Sequence, residues 1–265
     1  MKYLLGILLL IFTACGGDRN IETKKDEVLK VALANKPRSF DPQKNTDSST
    51  LAVTKQIYNN LFSLGENGEI ILELVESYEI EEDNSIILQL RKGIFFHDGN
   101  ELTSEDVKKS LERNLDIPVS RILVESIEKI EVLDKYRLKI VQKNSPSILI
   151  HNLAHSSTAI VKEIKTDSDI DLIGTGAYKI KDWSLSERIS LESFDKYYEK
   201  TPKIKEIIFQ TIPESSNRLI ALETKEIDIA YDISANDIKG IEKNPNLKVI
   251  NSICLLYTSP SPRDM

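Results

Sequence analysis

The spacing of apolar residues changes period several times along the chain, and each change predicts an element. Residues 28–34 (VLKVALA) are almost continuously apolar, which predicts a strand covered on both faces inside its sheet. Residues 48–61 switch to helical spacing, with Leu51, Val53, Ile57, Tyr58 and Leu61 on one stripe and Ser49 or Thr50 as the cap. Gly65 and Gly68 bracket a turn. Residues 85–90 alternate strictly, so Ile86, Leu88 and Leu90 share one face of a strand. A short apolar run at 94–96 stops at Asp98-Gly99-Asn100, where Gly tolerates a positive φ. Thr103 then caps a helix whose first turn carries Glu105 and Asp106 and whose stripe begins at Val107 and Leu111. Residues 127–141 form a hairpin turning near 133–135, and 147–153 a short helix. A strand over 203–212 is ended by Pro213; Ser215 and Ser216 cap a helix through Leu222; 237–243 is helical and 247–250 a last strand.

One stretch carries more than local structure. Residues 72–114 read LELVESYEIEEDNSIILQLRKGIFFHDGNELTSEDVKKSLERN. The order Leu74, Glu76-Ser77-Tyr78, Asp83, Leu90-Arg91-Lys92-Gly93, Phe96-His97-Asp98-Gly99, Glu105-Asp106-Val107 and Ser110-Leu111-Glu112-Arg113 closely resembles a signature of the extracytoplasmic solute-binding proteins of family 5, peptide-binding components of ABC importers. Further points of likeness are Asp41-Pro42 after the first strand, with Phe40 in place of the usual Leu, and Asn59-Asn60-Leu61-Phe62. Gly174-Thr175-Gly176-Ala177-Tyr178 follows the same pattern with Ala for Pro, and Glu226-Ile227-Asp228-Ile229-Ala230 completes it.

The resemblance implies a mixed α/β fold of the type II periplasmic-binding-protein kind. Its first lobe would comprise residues 28–47 and 172–253, interrupted by an inserted subdomain at 48–171, and the second lobe would be missing. It implies an importer component, not an enzyme, that closes about a hinge on a peptide and presents it to permease subunits. Family members that bind nickel, haem or an oligosaccharide are the alternative, and a surface adhesin lipoprotein is the alternative from another class. The acidic residue with which peptide-binding members hold a ligand's amino group belongs to the absent lobe. On this lobe the loop after the first strand is the candidate ligand contact, through Asn35, Pro37, Ser39, Phe40 and Asp41, chiefly by backbone groups adding to an extended peptide. Tyr178, with Gly174 and Gly176, and the pair His155-Ser156 are the other candidates.

Composition adds an address. Lys2 precedes an apolar run ending at Ala14, shorter than the ~20 residues that span a bilayer, so residues 1–14 read as an export signal. Phe12-Thr13-Ala14-Cys15 resembles a bacterial lipobox, which makes Cys15 the lipidated residue and 15–27 a flexible tether. The protein is then a monomer held at the outer face of a bacterial membrane or in the periplasm. Cys254 is the sole other cysteine of the 265 residues, so no disulfide framework is expected. Residues 254–265 (CLLYTSPSPRDM) differ in composition and read as a non-native tail. A net charge of −7 without a basic cluster argues against nucleic acid. His151 and His155 stand four apart, but no H-E-x-x-H pattern or third ligand accompanies them, so neither metal nor cofactor is expected. No G-x-S-x-G motif points to a nucleophile.

Overall fold

A computed structural model describes residues 27–165, 170–183 and 188–250. The leader, Cys15 and the tail from 254 lie outside those residues. The chain runs through β1 (Val28–Leu33), α1 (Ser48–Ile57), β2 (Phe62–Leu64), β3 (Ile70–Leu72), β4 (Val75–Ile80), β5 (Ile86–Leu90), α2 (Ser104–Asp116) and α3 (Pro118–Val124). It continues with β6 (Ile127–Asp134), β7 (Arg137–Gln142), α4 (Pro146–Asn152), β8 (Lys162–Lys165), β9 (Ile170–Ile173), β10 (Tyr178–Trp183) and β11 (Arg188–Ser193). The described part closes with β12 (Glu206–Thr211), α5 (Ser215–Glu223), β13 (Ile229–Ala230) and α6 (Ala235–Ile241).

Two sheets organise these elements. The larger has the order β10-β11-β12-β1-β13, with β1 parallel to both neighbours. Its interior position explains the apolar run of β1, in which Val31, Ala32 and Leu33 are all buried. The second sheet is antiparallel, in the order β4-β5-β7-β6. Ile86, Leu88 and Leu90 of β5 point into its core together with Val107 and Leu111 of α2. A separate cluster joins Val31, Leu33 and Phe209 of the larger sheet to Val53, Ile57 and Tyr58. Helix α1 thus shares the core of β1, although it lies past residue 47, where the inserted segment was expected to begin.

Several local expectations need correcting. Helix α1 is capped by Asp47, whose side chain accepts from the Thr50 amide at 2.9 Å, and it ends at Ile57. Ser49 and Thr50 have other partners, described below. Residues 94–96 make a single bridge, Phe95 to Glu101, and no strand. Ser215 is the first residue of α5, behind an N-cap Glu214 that makes no capping bond; the Ser215 hydroxyl instead accepts from the Ser234 amide at 2.9 Å. Helix α6 starts at Ala235 behind the capping Ser234, two residues before the expected start. Residues 247–250 are irregular. Helix α2, by contrast, begins as its sequence specifies: Thr103 and Asp106 form a reciprocal capping box.

Candidate functional site

Because β1, β12 and β13 run parallel, their carboxyl ends at Leu33, Thr211 and Ala230 face one way. The antiparallel pairing of β10, β11 and β12 brings Trp183 and Arg188 to the same rim. Ligands of open α/β sheets bind beyond such strand ends, and the loop leaving β1 crosses this rim.

That loop is held from below. The Asn35 amide donates to the Ser49 hydroxyl and the Arg38 amide to the Thr50 hydroxyl, each at 3.3 Å. Ser39 accepts from the Asp41 amide at 3.0 Å. Pro37 is buried and Asn35 exposed. Phe40 meets the exposed Trp183 edge-to-face, ring centroids 4.6 Å apart. Beside them a cavity of about 10 Å³ is lined by Leu33, Lys36, Pro37, Trp183, Arg188 and Thr211. It is large enough for roughly one water. The rim offers an aromatic platform, Trp183 against Phe40, with Arg188 and Lys36 lining the same cavity.

Other candidate residues are occupied structurally. Asp41 is buried, accepts from Arg113 Nη2 at 2.6 Å and Nη1 at 3.2 Å, and caps the short turn Pro42–Lys44 through the Gln43 amide. Its carboxylate therefore faces a protein cation and not the rim. The amides of Asn35 and Arg38 are taken by hydroxyls, so they cannot add to a peptide strand as expected. Tyr178 is a core residue whose hydroxyl donates to the Ile204 carbonyl at 3.1 Å, and burial raises its pKa. His155 Nδ1 accepts from the Ser157 amide at 3.1 Å, and its carbonyl receives Asn60 Nδ2 at 2.7 Å. With Ser156 it opens a turn that packs on Pro42–Lys44, behind the loop. His151 and His155 do not share a helical face, because α4 ends at Asn152. Among the described residues no group of three His, Cys, Asp or Glu is placed to hold a metal.

Gly174 and Gly176 serve close approach and not a turn. A Cβ on Gly174 would lie 2.2 Å from the Ile57 carbonyl oxygen, and one on Gly176 2.5 Å from that of Gln56. The same segment receives His97. Its amide donates to the Gly174 carbonyl at 3.0 Å, and its Nε2 lies 3.1 Å from the Gly176 carbonyl, which requires the proton on that nitrogen. Burial, reinforced by Lys179, lowers the His97 pKa to about 4 against a hydrogen bond that acts the other way. The folded state thus binds this proton more weakly than the unfolded chain, and the stabilisation is complete above the unfolded value of 6.5. It is lost as pH falls from there toward about 4. Urea unfolding of wild type and His97→Gln should show the wild type losing more stability between pH 6.5 and 4.5. Parallel curves would contradict this assignment.

Comparison with known proteins decides the family. The model for bacterial extracellular solute-binding proteins, family 5 Middle, matches residues 69–263. The chain belongs to this family. The glutathione-binding protein GsiB of Pectobacterium atrosepticum is 30% identical over 243 residues, which is 88% of this chain and 47% of the relative. NikA from Staphylococcus aureus, solved in complex with Ni(L-His)2, is 30% identical with a TM-score of 0.74 over 84% of this chain and 47% of that one. DppA from Helicobacter pylori, in complex with peptide STSA, is 26% identical with a TM-score of 0.71 over 82% of this chain and 49% of that one. The chain spans about half the length of the relatives it matches. The α/β fold is that of periplasmic binding proteins, and the family serves ABC importers with binding proteins, not enzymes. The matched span runs past Cys254 into the tail whose composition sets it apart.

Of the rim residues, sequence patterns pointed to the loop but not to Trp183, Arg188 or Thr211. These three come together only through strand pairing, for which no local signal exists.

Proposed function

We propose that the full-length protein is a lipid-anchored, monomeric peptide-binding component of an ABC importer, and that this chain supplies its first lobe. Family membership supports the importer role. The observation that carries the ligand reading is the pinned loop at the strand ends, rigid before ligand arrives and set beside Trp183, Lys36 and Arg188. A preorganised loop loses little entropy on binding. Exposed parts of Asn35, Ser39 and Phe40 contribute the contacts on this side, and closure of the second lobe completes the enclosure. Cys15 carries the lipid that keeps the protein outside the cytoplasm, near its permease. Within the chain, residues 28–47 and 172–250 form the lobe core, with α1 packed on it, and the antiparallel sheet belongs to the inserted part.

Calorimetry of the full-length gene product against the tetrapeptide Ser-Thr-Ser-Ala, glutathione and Ni(II)–histidine tests this. Micromolar or tighter binding of either peptide supports the proposal. Binding of Ni(II)–histidine alone would replace the ligand class. Fractionation of bacteria expressing Cys15→Ser should find the variant released and the wild type retained with membranes; equal retention would remove the anchor.

A further inference from the structure

The strongest fastening of the rim loop does not come from its own sheet. Asp41 closes the loop and is 7% exposed, and Arg113 grips both of its oxygens from helix α2. The same guanidinium reaches Gln43 Oε1 at 2.5 Å and Glu163 Oε1 at 2.9 Å. Gln43 is fully buried, and its Nε2 donates to Ser110 Oγ at 3.2 Å, Asn114 Oδ1 at 3.1 Å and the Ala159 carbonyl at 3.1 Å. Ser110, Arg113 and Asn114 follow helical spacing, so α2 turns one polar stripe toward residues 41–43. Its apolar residues Val107 and Leu111 are set in the core of the antiparallel sheet. The bonds from Ser49 and Thr50 to the loop amides are neutral and 3.3 Å long, at the long end of the hydrogen-bond range. A bidentate, charge-assisted pair is the stronger and more directional contact.

We propose that Arg113 is a positioning residue for ligand capture: without touching ligand, it anchors the rim loop to the antiparallel sheet's core through Asp41. This rests on the rim loop being the ligand contact. The Asp41 carboxylate matches the planar fork of the guanidinium, and a lysine ammonium, a compact point charge on a flexible stem, does not reproduce that bidentate geometry.

The test uses the full-length protein with Arg113→Lys, Asp41→Asn and Glu163→Gln, the last cutting only the half-exposed arm of the network. Amide exchange of ligand-free protein at residues 35–41 is read against β1 and β5 as internal standards. Arg113→Lys and Asp41→Asn should exchange about tenfold or more faster at 35–41, with the standards unchanged, while Glu163→Gln matches wild type. Affinity for Ser-Thr-Ser-Ala should weaken about tenfold in the same two variants. Exchange at 35–41 equal to wild type, or accelerated equally in both standard strands, would overturn the proposal and leave a merely stabilising ion pair. Faster local exchange with unchanged affinity would overturn it as well. Should wild type not bind this peptide, that failure falls on the peptide reading, and the exchange data alone decide the role of Arg113.

Discussion

Gly174→Ala should destabilise the fold by about 3 kcal/mol, although it adds one methyl group. The added Cβ would stand 2.2 Å from the Ile57 carbonyl oxygen and 2.5 Å from Tyr58 Cδ1. Neither neighbour can retreat cheaply. The Ile57 carbonyl accepts the Gly176 amide at 2.8 Å, and Tyr58 is buried in the core of the larger sheet. The Gly174 carbonyl in turn receives His97, so a shift of this segment would break contacts on both sides. Gly240→Ala is the natural contrast. It lies in α6 with nothing within 4 Å of where an added Cβ would stand, and the substitution should stabilise by about 0.5–1 kcal/mol through helix propensity. Urea denaturation of the two variants reads the difference directly. A loss below about 1 kcal/mol for Gly174→Ala would mean that the approach of the two segments is loose.

Leu88→Ala should cost about 3–4 kcal/mol. Leu88 is fully buried at the middle of β5, which lies between β4 and β7, and it pairs with Tyr78 and Leu138 across the strands. Paired strands on both sides restrict collapse around the vacated volume, so the cavity term adds to the lost transfer energy. Ile87 is the matched control, one residue away on the opposite, half-buried face. Ile87→Ala should cost less than half as much. Equal losses at both positions would show that the sheet is covered on both faces alike.

What could be read in advance divides by the range of the interaction. The β5 face and the capping box at Thr103 depend on neighbours within a few residues, and both appear as their sequence specifies. Strand β4 gave no such pattern, because Val75 alone of its six residues is buried. Pro37 and Pro42 fix φ at two points of the loop after β1, yet its other fastenings, from Ser49, Thr50 and Arg113, have no local signal. Ser49 and Thr50 resembled helix caps because hydroxyls at a helix start usually cap; here Asp47 caps and frees them for the loop. Asp41 resembled a ligand contact because its partner Arg113 lies far along the chain. Tyr178 was misplaced for the same reason, since its hydroxyl answers to the distant Ile204 carbonyl.

The position of β1 also bears on how the protein is made. Val28 opens the first described strand but faces Glu206, and Val31 faces Ile229. During synthesis the apolar first strand must wait, unpaired, until most of the described chain has left the ribosome. The antiparallel sheet needs only residues 75–142 and closes through shorter connections, so it can assemble while the other sheet is incomplete. An exposed apolar strand during that interval is a target for holding chaperones. Pulse-labelled amide exchange should therefore protect β5 before β1, with the reverse order excluding this sequence of events. The wait of the first strand is thus set by how far along the chain its partners lie, and not by its own sequence.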